Sequence, residues 1–161
     1  MNHCFALVLL AGSALASPAL AADLTAPNPT LTPGEVASHN LAEVCARDSN
    51  GRYTFSPSHR TWHNKPDTLA KYGIPRSQSD RVEDDDRVPL CVGGDNANPR
   101  NHWPQPWDEA RLKDQLEREI CIRLCDRHTI SLDEAQAIFL GDWRASYRKI
   151  FGPQPTNETQ R

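Results

Sequence analysis

Four cysteines, Cys45, Cys91, Cys121 and Cys125, follow an apolar N-terminal segment, and they limit what the rest of the chain can become. A fifth, Cys4, lies inside that segment. The run from Phe5 to Leu15, followed by Ala19-Leu20-Ala21, has the pattern of a secretory leader: an apolar stretch, then small residues at an A-x-A cleavage point. No Lys or Arg precedes the run, and it is too short to span the ~30 Å hydrocarbon core of a bilayer. Residues 1–22 are therefore read as a signal peptide. The mature chain is expected to start at Ala22 or Asp23, to reside in the periplasm or the medium, and to keep no stable membrane association. An even number of thiols in an oxidising compartment implies two disulfides. Three pairings are open. Cys121 and Cys125 are one turn apart on one expected helix, which favours separate partners, so Cys45 and Cys91 are each expected to bridge to that helix. The competing use is a four-thiol zinc site, which more often takes closely spaced Cys pairs on turns.

Composition narrows the class. Hydrophobic residues are 38% of the chain, and the leader holds a disproportionate share of them. The remainder supports a modest core and no membrane bundle. With 18 Lys+Arg against 21 Asp+Glu, the net charge of -3 excludes both a basic nucleic-acid tail and a strongly acidic solvating chain. Thirteen Pro and eight Gly predict long irregular stretches. Internal repeats, Gly-rich phosphate loops, G-x-S-x-G elbows and paired C-x-x-C motifs do not occur.

Local signals divide the chain into a flexible leader and N-terminal helix (23–59), a main domain (60–152) and a flexible tail (153–161). The first helix is signalled at Thr32-Pro33-Gly34-Glu35, with Ala37, Leu41, Val44 and Cys45 on one face. A short helix is expected from Asp67 to Tyr72, stopping at Gly73. In 81–92 the second half, up to Gly93-Gly94, is β-prone, whereas the acid run Glu83-Asp84-Asp85-Asp86 is a poor strand former. Residues 95–106 read as a loop. Leu112, Leu116, Ile120 and Leu124 then mark a long helix. A last helix opens with a capping box at Ser131–Glu134. It buries Ala135, Ile138 or Phe139, Trp143, Tyr147 and Ile150, and stops at Phe151-Gly152-Pro153. The fold class is α+β, stabilised by disulfides.

The four adjacent acids need solvent, basic partners or a cation, and carboxylate oxygens suit Mg²⁺, Ca²⁺ or Mn²⁺. Past them the order is Val88-Pro89-Leu90, Gly93-Gly94, an Asn-rich loop, then Arg100-Asn101-His102-Trp103-Pro104-Gln105. That order and spacing resembles the HNH (ββα-metal) endonucleases, in particular small exported bacterial members. The likeness continues through Lys113-Asp114-x-Leu116-Glu117 and Ser131-Leu132-x-Glu134-Ala135-Gln136 with Asp142-Trp143 and Tyr147.

The resemblance implies a β-hairpin and helix clamping one divalent cation, with nucleic acid as substrate and the protein a monomer. It places Asp85 as metal ligand, with Asp84 beside it, and Asn101 as the residue that buttresses the loop. The place of the general-base His falls on Asp86, a departure, because a carboxylate near its ordinary pKa of ~4 is a poor base at neutral pH. The helix ligand place falls on Arg111, which cannot bind a cation; Glu109 or Asp114 would have to substitute. His102 is a packed or rim histidine, with general base the lesser option, and His59 and His63 lie in a loop with Trp62. Arg60, Arg87 and Arg100 are candidate phosphate contacts, or partners of the acid run. Two readings result: an exported metal-dependent nuclease with altered catalytic residues, or a catalytically silent protein on the same fold with a binding or structural role. A cation-stabilised interaction module is a third.

Overall fold

A computed structural model describes residues 24–55 and 64–153. The leader, the segment carrying His59, Arg60, Trp62 and His63, and the tail after Pro153 lie outside the described residues. The elements are α1 (Leu41–Val44), α2 (Lys65–Lys71), β1 (Val82–Asp86), β2 (His102–Pro106), α3 (Trp107–Cys121), α4 (Leu132–Leu140) and α5 (Trp143–Phe151). This is an α+β arrangement with a two-stranded antiparallel hairpin, β1 against β2.

The strand lies where the acids are, contrary to expectation. Val82 to Asp86 pair with Pro106 to His102, in the register Asp86 opposite His102 and Asp85 opposite Trp103. The β-prone stretch instead makes a 3₁₀ turn, Leu90–Val92, after Pro89. The turn satisfies its own backbone: the Val92 and Gly94 N–H groups bond the Pro89 carbonyl and the Gly93 N–H bonds the Leu90 carbonyl, while Val88, Leu90 and Val92 stay buried. Residues 102–106, expected as loop, form β2 despite Pro104 and Pro106; a strand with only one neighbour tolerates missing N–H donors.

The N-terminal helix is also corrected. Thr32 does not cap a helix; its hydroxyl donates to the His102 carbonyl (2.8 Å) and meets the Tyr72 hydroxyl. Residues 35–38 run extended along the Gly93-Gly94 loop, with a Val36–Gly94 bridge and Ala37 N–H on the Gly93 carbonyl. Only the single turn α1 remains, capped by Asn40. Leu24 and Leu31, in the stretch expected to be flexible, pack on the smaller core around Leu69, Tyr72, Ile74, Val82 and Trp103.

The larger core joins Val88 and Val92 to Leu116, Ile120 and Leu124 of the long helix and to Ala135, Phe139, Trp143 and Tyr147. The last helix is two helices. Asp142 breaks it by capping α5, accepting from Arg144 and Ala145 N–H groups, while Ser131 and Glu134 close the capping box of α4. The disulfides are Cys45–Cys125 and Cys91–Cys121, with Cα separations of 5.3 and 5.7 Å. Each joins an upstream segment to the end of α3 and the π-helical turn Ile122–Asp126 that continues it. Among the described residues, no helix is long and apolar enough to cross a membrane.

Candidate functional site

The acid strand meets α3 through one side chain. Lys113 shares the buried stripe of α3 with Leu116 and Ile120, three and seven residues on, so its ammonium is carried under the hairpin. It is 1% exposed. Nζ donates to both oxygens of Asp85, at 3.1 and 3.0 Å, and to Glu117 one turn further along the helix. Burial alone would lower the Lys113 pKa, but the carboxylates of Asp85 and Glu117 overcome it and hold the ammonium well above its ordinary range.

Around this cation there are more carboxyls than it can neutralise. Burial, then the charge of Asp85, raises Glu83 to about 7. Burial pushes Glu117 up against the pull of Lys113. Asp114 rises from the same two causes as Glu83. Asp86 is raised well above its usual range, through burial first and repulsion by Asp85 second. Asp84 adds its charge on the side of Lys71.

Asp86 sits opposite His102, with Oδ1 3.1 Å from Nδ1. The other ring nitrogen, Nε2, lies 2.9 Å from the Asn96 carbonyl. A carbonyl only accepts, so Nε2 carries the proton there. His102 is 1% exposed with both nitrogens directed into the protein. That burial fits a packed or rim position. His102 also lines a cavity of about 250 Å³ with Asn64, Asp67, Thr68, Lys71, Ala97 and Pro99.

Asn101 holds the loop. Its Oδ1 accepts from Val88 N–H (2.9 Å) and Glu35 N–H (3.2 Å), and its Nδ2 donates to the Val88 carbonyl (2.9 Å). The glycine pair allows the backbone to close on itself. Gly93 has φ 88°, and a Cβ on Gly94 would overlap the Val88 carbonyl. Arg87 and Arg100 are tied elsewhere. Arg87 donates to the carbonyls of Thr32 (2.8 Å) and Leu140 (2.6 Å), and Arg100 pairs with Glu35 at 2.7 Å. Neither pairs with the acid run.

Asp85 does not fit a divalent cation as placed, because an ammonium takes both its oxygens. Among the described residues, no group of three His, Cys, Asp or Glu side chains is positioned to hold a metal. The α3 residue that reaches Asp85 is Lys113, whereas Arg111 is exposed. Sequence reading passed over Lys113 as part of the helix; its signal was a lysine in register with Leu116 and Ile120. Glu117 was missed with it, and Lys-to-Glu spacing at i, i+4 is its signal. No family model matches the chain, nor does any curated protein or solved structure.

Proposed function

We propose that the protein is an exported, disulfide-locked module with an HNH-like ββα core that performs no phosphodiester hydrolysis and serves a binding or structural role outside the cytoplasm. The observation that carries this reading is the Lys113 ammonium on both oxygens of Asp85. A nuclease of this type needs that carboxylate for a cation, which stabilises the leaving oxygen and positions the water. Here the carboxylate is spent on a buried ion pair, and the adjoining Asp86–His102 pair is turned inward. Two disulfides fit an oxidising compartment, periplasmic or extracellular.

The second reading, a metal-dependent nuclease, is favoured by the Asn101 bonds to Val88, which hold the loop as the family resemblance implies. The test is cleavage of plasmid DNA and of RNA by the purified oxidised protein in Mg²⁺, Mn²⁺, Ni²⁺ and Zn²⁺. The silent reading expects wild type and Asp85→Ala to be indistinguishable from buffer. Cleavage that disappears in Asp85→Ala contradicts it.

A further inference from the structure

The helices α3, α4 and α5 carry apolar side chains that the interior does not use. Ile120 of α3, Ile138 of α4 and Ile150 of α5, with Ile130 from the connecting loop, floor a cavity of about 640 Å³. That volume is in the range of small-molecule sites, about 300–1,000 Å³. Phe139, Trp143 and Tyr147 of the same helices belong to the larger core, whereas Ile130, Ile138 and Ile150 only rest against it and stay partly exposed. Four charged side chains rim the floor, and three of them are committed. Glu134 accepts from the N–H and hydroxyl of Ser131, Asp142 caps α5, and Arg123 pairs with Glu119 at 2.7 Å. Lys149, in the last turn of α5, has neither a hydrogen bond nor an ion pair among the described residues. The trough therefore offers an apolar floor and one uncommitted positive charge. A cationic head group would have to share Glu134 and Asp142 with the helix N-termini they cap.

We propose that this trough binds a free single-chain anionic amphiphile of the fatty carboxylate class, its hydrocarbon chain over the isoleucines and its carboxylate on the Lys149 ammonium. The apolar chain supplies the affinity and the ammonium selects the sign of the head group. Two occupants from the protein itself fit less well. The tail after Pro153 reads Gln-Pro-Thr-Asn-Glu-Thr-Gln-Arg, which brings little apolar surface to an isoleucine floor. A second copy seated on the same face by two-fold symmetry sets one trough against the other and fills neither. The trough shares no residue with the hairpin site, so the inference goes beyond the silent reading and does not depend on it.

The probe is dodecanoate, kept below the concentration at which it forms micelles and titrated calorimetrically into the oxidised protein. Dodecyltrimethylammonium is the cationic control of equal chain length. One dodecanoate is expected to bind per chain with a Kd on the order of 10⁻⁵–10⁻³ M, and the cationic amphiphile roughly tenfold more weakly. Lys149→Glu should weaken dodecanoate binding roughly tenfold. Ala137→Trp, on the exposed side of α4, should fill the trough and abolish binding. Amide shift changes on dodecanoate addition should centre on Ile130, Ile138, Lys149 and Ile150; if either variant fails to fold, this wild-type map decides, and changes centred elsewhere overturn the proposal. So does the absence of saturable dodecanoate binding, equal affinity for the two head groups, or binding that survives Ala137→Trp. A wild-type dimer that Ala137→Trp dissociates overturns it in favour of a second copy. Binding that appears only after residues 154–161 are removed overturns it in favour of the tail, and binding to anionic vesicles without binding of free dodecanoate overturns it in favour of a membrane surface. None of these outcomes bears on the silent reading, which the plasmid and RNA cleavage test decides separately.

Discussion

Lys113 is charged, buried and paired, and each property depends on the others. Breaking a buried ion pair leaves its partners desolvated and uncompensated, typically at ~3–5 kcal/mol. Lys113→Met should destabilise by that amount in urea unfolding, because Asp85 and Glu117 lose their shared counter-charge. Asn101→Ala should cost ~2–4 kcal/mol, since the Val88 N–H and carbonyl both lose their partner in the interior. The carboxyls give a pH signature of definite sign. Glu83, raised to about 7, and Glu117, Asp114 and Asp86, also raised, hold protons in the folded state that the unfolded chain releases near pH ~4–5. The stability they contribute is fully present below that range and falls as pH rises above it, for Glu83 and Glu117 through about 7. Tm should therefore be higher at about pH 5.5 than at about pH 8, and the opposite order would contradict the assignment. The partly buried Glu119 and the exposed Glu134, held below their usual values by Arg123 and Ser131, act only at lower pH. At this scale, Asp85, Asp86, Asn101 and His102 were legible as a constellation because their types and order stand out. Lys113 and Glu117 stood out only as part of the helix pattern, and their contact with Asp85 was not legible, since a lysine on an amphipathic helix normally marks a solvent face.

At the level of elements, the long helices were legible and the hairpin was not. Leu112, Leu116, Ile120 and Leu124 repeat at the helical period over four turns, and tertiary structure only sharpens what the period already says. The hairpin inverts local propensity. Four acids make a strand because Lys113 and Lys65 reach it, Lys65 donating to the Val82 carbonyl at 2.6 Å, and because β2 supplies the opposite edge. None of those contacts is local in sequence, so propensity could not find them. The single expected final helix failed at Asp142, whose side chain satisfies two N–H groups that an uninterrupted helix would have bonded internally. Of the two capping signals, the one at Ser131 held. Ser131 and Glu134 bond reciprocally, and Ser131→Ala should cost ~1 kcal/mol in thermal or urea unfolding. Thr32-Pro33-Gly34-Glu35 carried the same signature without forming a helix, because Thr32 is committed to Tyr72 and His102.

Over the whole molecule, two cross-links fasten the N-terminal segment and the glycine loop to one helix end. The bridges close loops of 80 and 30 residues in sequence separation. Chain entropy puts their stabilisation at ~4.5 and ~3.6 kcal/mol respectively, so removing Cys45–Cys125 should lower stability more than removing Cys91–Cys121. The even thiol count and the helical spacing of Cys121 and Cys125 made legible that Cys45 and Cys91 each bridge to that helix, but not which of the two each takes. What the molecule does was less legible, because the residues with the strongest chemical signature are those the fold has neutralised. Anomalous scattering from crystals grown in Mn²⁺ addresses this directly. The account predicts continuous lysine density between Asp85 and Glu117 with no Mn²⁺ peak on either carboxylate. A Mn²⁺ peak coordinated by Asp85, with Lys113 displaced, would contradict it.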